Sequence, residues 1–185
     1  MQIRLARTAL GLGVRELGEA AGISPSTVQR FESGAGGLQT RTLERLQTAL
    51  ASRGIVFIPA DAGGGPGVRL SDPLADRGPS DARYATASTD RQNGHGVCEA
   101  AMSASPMTPL QMKLARTALG MGVRDLAAAA EVAPSTVQRF ESGKGDMHVR
   151  TLHRVKQTLE SGGAVFVSAD ADGGPGVRST VVPSP

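Results

Sequence analysis

Residues 5–69 and 114–178 superimpose under a shift of 109 positions without a gap, and 42 of the 65 aligned residues are identical. Such an internal duplication restricts the chain to architectures built from two equivalent units. Two copies are too few for a solenoid, so two similar domains are expected. The boundaries follow from composition: domains at 1–70 and 108–178, a linker at 71–107 and a short disordered tail at 179–185. The linker is rich in Ser, Asp, Gly, Pro and Ala and has almost no apolar periodicity, the pattern of a flexible, mostly disordered tether.

At the centre of each copy stands the decapeptide Pro-Ser-Thr-Val-Gln-Arg-Phe-Glu-Ser-Gly, at 25–34 and unchanged at 134–143. Proline suits the first turn of a helix, where its missing N–H has no intrahelical partner. Glycine stops the helix. Val28 and Phe31 fall on one face, whereas Ser26, Gln29 and Arg30 project from the other. Such a helix can lie in the major groove, where Arg and Gln match the edges of guanine and adenine. A helix in any small core could show the same two faces, so the decapeptide alone does not decide.

The flanking residues supply a context. Positions 3–10 have helical apolar spacing, and Gly11 and Gly13 end that helix. Positions 14–21 read as a second short helix, with Leu17, Ala20 and Ala21 inward. Gly22-Ile23-Ser24 is a tight turn whose Ser24 caps the decapeptide helix. A longer helix follows over 40–53, with Leu43, Leu46 and Leu50 on one stripe. Positions 55–58 read as a strand, and 68–70 as a short return strand after a Gly-rich turn. Repeat two follows the same course. Its first helix opens well, with Thr108 as cap, Pro109 at the first position and Gln111 completing a capping box. Met1 aligns with Leu110, so the first helix of repeat one is expected to begin uncapped, and to fray unless the true start lies upstream.

Two short helices, a three-residue turn and a third helix with a polar face make a helix-turn-helix. Each repeat resembles the Cro and phage-repressor (Xre-type) helix-turn-helix domains. The resemblance rests on Leu17 to Ala21, Gly22-Ile23-Ser24, Ser26-Thr27-Val28, Phe31 to Gly34 and Thr42-Leu43. It implies a mainly α fold of two lambda-repressor-like domains, each with a short C-terminal β-hairpin. It also implies that Pro25, Ser26, Gln29 and Arg30, with Pro134, Ser135, Gln138 and Arg139, face the bases. Thr27 and Thr136 would touch phosphate. Two departures stand out. Val14 and Val123 occupy a position where the family often has a phosphate-binding Gln. In repeat two, Ser24 becomes Ala133 and Gly22 becomes Glu131, while Lys144 in place of Ala35 could recover a phosphate contact.

Charge agrees with a nucleic-acid partner. The net charge is +3. Residues 1–70 hold eight Arg against five acids and residues 110–185 hold nine Lys/Arg against seven, while 71–109 are net acidic. With no Trp, one Tyr and four Phe, two small aliphatic cores are expected rather than one large one. A single Cys98 points to a reducing cytoplasm. No apolar run suits a membrane or a secretory signal. His95, His148 and His153 form no ligand set. The Gly-rich stretches do not sit between a strand and a helix as phosphate cradles do. Neither a cofactor, a metal nor catalysis is expected. Glu32 and Glu141 read as structural, since a carboxylate facing DNA is unfavourable.

The expected function is sequence-specific binding of double-stranded DNA in transcriptional regulation, repression rather than activation. The alternative is a protein-interaction module, such as an antitoxin-like or polymerase-associated adaptor. The strands at 56–58 and 165–167 are too apolar for a free sheet edge. The hairpins are therefore expected to pair, as a homodimer or as an intrachain pseudo-dimer. A flexible tether of 37 residues spans roughly 30–37 Å, enough for half-sites one helical turn apart.

Overall fold

A computed structural model describes residues 1–61, 64–72 and 107–180; the greater part of the expected linker and residues 181–185 lie outside them. The protein is mainly helical. Two helical units, each followed by a strand pair, are separated by residues 73–106. Repeat one contains α1 (Gln2–Ala9), α2 (Val14–Ala21), α3 (Pro25–Glu32), α4 (Thr40–Ala51), β1 (Ile55–Ile58) and β2 (Gly67–Leu70). Repeat two contains α5 (Pro109–Ala118), α6 (Val123–Ala129), α7 (Pro134–Glu141), α8 (Val149–Ser161), β3 (Ala164–Val167) and β4 (Gly176–Ser179).

Local signals account for most of these boundaries. The Thr108 side chain accepts from the Gln111 N–H and the Gln111 side chain accepts from the Thr108 N–H, both at 3.1 Å, so α5 opens with a capping box. The N-cap of α1 is Met1, without a side-chain cap. Met107, placed in the linker by composition, is instead buried and belongs to the packed body. At the other end β4 runs through Ser179, also buried, one residue beyond the expected domain end.

The two hairpins form one antiparallel sheet of order β1-β2-β4-β3. Its central register pairs Gly67 with Arg178, Val68 with Val177 and Arg69 with Gly176. Each pair maps onto another, or onto itself, when the repeats are exchanged, so a local two-fold axis passes by the Val68–Val177 pair. Both valines are fully buried. The apolar strands β1 and β3 are the outer strands, contrary to the expectation that their apolar character would keep them from a sheet edge. Apolar side chains are satisfied through the face of a sheet, not through its rim: Ile55 and Ala164 enter the core, and Phe57 and Phe166 pack against it.

Beneath the sheet, α1 packs on α5, α1 on β2 and α5 on β4. This corrects the expectation of two separate cores. Buried residues from both repeats, among them Leu5, Leu46, Val68, Leu114, Val155 and Val177, form one continuous cluster. Strand pairing across the axis and the α1–α5 contact merge what composition alone divides. Gln2 and Gln111 tie helix to sheet in both halves. Gln2 Nε2 donates to the Ile58 and Gly67 carbonyls at 2.8 and 3.0 Å, and Gln111 Nε2 to those of Val167 and Gly176 at 2.8 and 3.2 Å.

Candidate nucleic-acid interface

Helices α2 and α3 are joined by a turn in which Gly22 adopts a left-handed conformation (φ 61°). Ser24 then takes an extended conformation, and its side chain accepts from the Thr27 N–H at 3.3 Å, capping α3. Val28 is fully buried and Phe31 is half-buried, which turns the opposite face of α3 outward. Pro25, Ser26, Gln29 and Arg30 are exposed there, and Thr27 is half-buried. Pro134, Ser135, Gln138 and Arg139 are likewise exposed on α7, with Thr136 half-buried and Lys144 exposed in the loop that follows. Among the described residues neither Arg30 nor Arg139 takes part in an ion pair, so neither is drawn to a neighbouring Glu. Val14 and Val123, at the first positions of α2 and α6, pack against the core.

What holds α3 and α7 in place is a half-buried ion pair in each repeat. Arg7 on α1 meets Glu32 at the end of α3 through two parallel contacts, Nε to Oε1 at 2.8 Å and Nη2 to Oε2 at 2.9 Å. Its Nη1 donates to the Leu12 carbonyl at 2.7 Å. The hydrogen bonds that Arg7 donates to Glu32 raise the Arg7 pKa above its ordinary value, against the opposing effect of burial. Arg116 and Glu141 repeat the arrangement at 2.7 and 2.9 Å. Glu32 and Glu141 are thus structural, as the sequence implies. Their partners Arg7 and Arg116 lie 25 positions away and escaped sequence reasoning; the one available signal was that both charges recur in both repeats. A second arginine, Arg45 on α4, donates to the Gly22 carbonyl at 3.0 Å and fixes the turn; Arg154 does the same to Glu131 at 3.2 Å.

Repeat two pays for its substitutions locally. Glu131 keeps the left-handed conformation (φ 52°) that Gly22 occupies without steric cost. Its exposed side chain stands 3.7 Å from Arg154, a contact worth little at the surface. Ala133 has the same extended backbone as Ser24 (φ −68°, ψ 136° against φ −63°, ψ 139°) but offers α7 no side-chain cap. Replacing Ala133 by Ser should therefore stabilise the protein by about 1 kcal/mol, measured as a higher urea midpoint of the full chain. An unchanged or lower midpoint would mean that residue 133 does not set the start of α7. His148, not anticipated as structural, caps α8: its Nδ1 accepts from the Arg150 N–H at 3.3 Å.

Among the described residues, no group of His, Cys, Asp and Glu is placed to hold a metal ion. No described helix is long and apolar enough to cross a membrane. Residues 1–53 match the family model of a helix-turn-helix domain, a DNA-binding architecture. The match covers α1 to α4 and stops before the hairpin. No curated protein matches the chain.

Proposed function

We propose that the chain is a sequence-specific double-stranded DNA-binding regulator of transcription, acting as a repressor, in which a single chain reads two related half-sites. Residues 1–70 and 108–178 are the two reading units of an intrachain pseudo-dimer, connected through 71–107. Pro25, Ser26, Gln29 and Arg30, with Pro134, Ser135, Gln138 and Arg139, face base edges. Thr27, Thr136 and Lys144 neutralise or bond phosphate. A protein seated over one turn of the duplex acts most simply by excluding other proteins, hence repression.

The observation that carries this reading is the symmetry of the central sheet. The register around Val68 and Val177 places the two hairpins about a local two-fold axis, and each hairpin follows a helical unit that carries the same decapeptide helix. A two-fold axis between identical readers matches inverted half-sites, whose centres lie about 34–36 Å apart along the duplex. Footprinting and stoichiometry on a selected duplex test it. One chain should protect both half-sites, and damage to either should weaken binding. A requirement for two chains per site, or indifference to the loss of one half-site, would refute the single-chain reading.

A further inference from the structure

The contacts across the axis come from a small set of residues. Arg69 reaches into the turn of the other hairpin, where its guanidinium pairs with Asp170 and donates to the Gly173 and Gly174 carbonyls. Arg178 makes the reciprocal set with Asp61, Gly64 and Gly65, at 2.6, 3.1 and 3.2 Å. The Asp170 pKa lies below its ordinary value, held there by hydrogen bonds from Arg69 and from the Asp172 amide. The Gly65 N–H donates to the Ser179 carbonyl at 2.6 Å and the Gly174 N–H to that of Leu70 at 2.8 Å. Opposite each arginine stands a glycine. A Cβ on Gly67 would lie 2.5 Å from the Val177 carbonyl oxygen and 2.8 Å from the Arg178 Cα, so the strands approach closely only because residues 67 and 176 have no side chain.

Apart from Leu70, Ser179 and Pro59, the last a further carbonyl acceptor for Arg178 at 3.1 Å, each of which contributes backbone groups to these hydrogen bonds, the residues named have identical counterparts in the other repeat: Asp61 and Asp170, Gly64 and Gly173, Gly65 and Gly174, Gly67 and Gly176, Val68 and Val177, Arg69 and Arg178. Positions 2–10 and 111–119, which cover α1 and all of α5 but its first two residues, differ only at Ile3/Met112 and Arg4/Lys113. An interface that presents the same patch from both sides is isologous. We propose that this face is a self-complementary docking surface whose partner is a second copy of either repeat, so that the linkage through 73–106 is not what holds the two halves together. Substituting one repeat for the other keeps the residues of the arginine–aspartate pairs and of the glycine carbonyls that accept from the arginines.

The test uses the full chain with a protease-recognition sequence placed within residues 73–106, cut after purification. The halves should remain paired in sedimentation. On incubation, native mass spectrometry should show three species: the mixed pair, the repeat-one pair and the repeat-two pair. Halves that separate into monomers, or a mixed pair alone, would overturn the proposal. In the same cut protein, Arg69→Ala with Arg178→Ala should weaken pairing by about tenfold or more, with helical circular dichroism retained. Unchanged pairing would remove the arginines from the docking surface. The proposal uses the same sheet as the DNA-binding reading, but that reading fails only if the uncut chain does not bind a specific duplex, so the two failures are distinguishable.

Discussion

Replacing Glu32 by Ala should lower the unfolding free energy by about 1–3 kcal/mol, because it leaves a half-buried guanidinium without its counter-ion. The pair is well shielded, with side-chain exposures of 18% for Arg7 and 8% for Glu32. Both carboxylate oxygens are used, and the third arginine nitrogen is committed to the Leu12 carbonyl. Truncation therefore leaves Arg7 with one main-chain acceptor and a void against α3. Replacing both partners by apolar residues of similar volume, Arg7→Met with Glu32→Leu, should cost far less, since burying the pair carries its own desolvation penalty. Urea unfolding of the full chain separates the two variants. A loss below about 1 kcal/mol for Glu32→Ala would mean that the pair is solvated and that packing around Val28 alone seats α3. Because Arg116 and Glu141 reproduce the geometry, Glu141→Ala should behave alike.

The other large effect concerns binding. Arg30→Ala and Arg139→Ala should each cost about 1–3 kcal/mol on the preferred duplex and much less on random DNA. Combined, they should cost roughly twice that, since contacts in separate half-sites add approximately. Both side chains are exposed and, among the described residues, in no ion pair, so little protein structure is lost with them. Competition binding at one fixed salt concentration is the measurement, because the phosphate contribution varies steeply with salt. Equal losses on specific and random duplexes would reduce both residues to general phosphate contacts.

Where local chemistry decides, the sequence was sufficient. Ser24 before Pro25, the Thr108–Gln111 box and the glycines at 34 and 143 delimit helices through interactions spanning three or four residues. The structure places those helix starts where the residues predict. The polar face of the decapeptide follows from Val28 and Phe31 in the same way, since a helix that buries two apolar side chains must expose the rest. The duplication itself required two equivalent units.

That the hairpins pair was expected from their apolar strands; which strands meet, and in which register, was decided by the tertiary structure alone. The Arg7–Glu32 clamp joins residues 25 apart, and the Arg69–Asp170 contact joins residues 101 apart. No periodicity reports such pairs, because their closeness depends on where the chain returns. Gly67 and Gly176 read as turn residues, yet they face the other repeat's arginines across a strand pair that leaves no space for a Cβ. Residue type and spacing determined each helix and each hairpin of this protein. That the two hairpins share one sheet and the two repeats one core was settled by long-range burial around Val68 and Val177, where close approach of backbones, rather than any local preference, selects the arrangement.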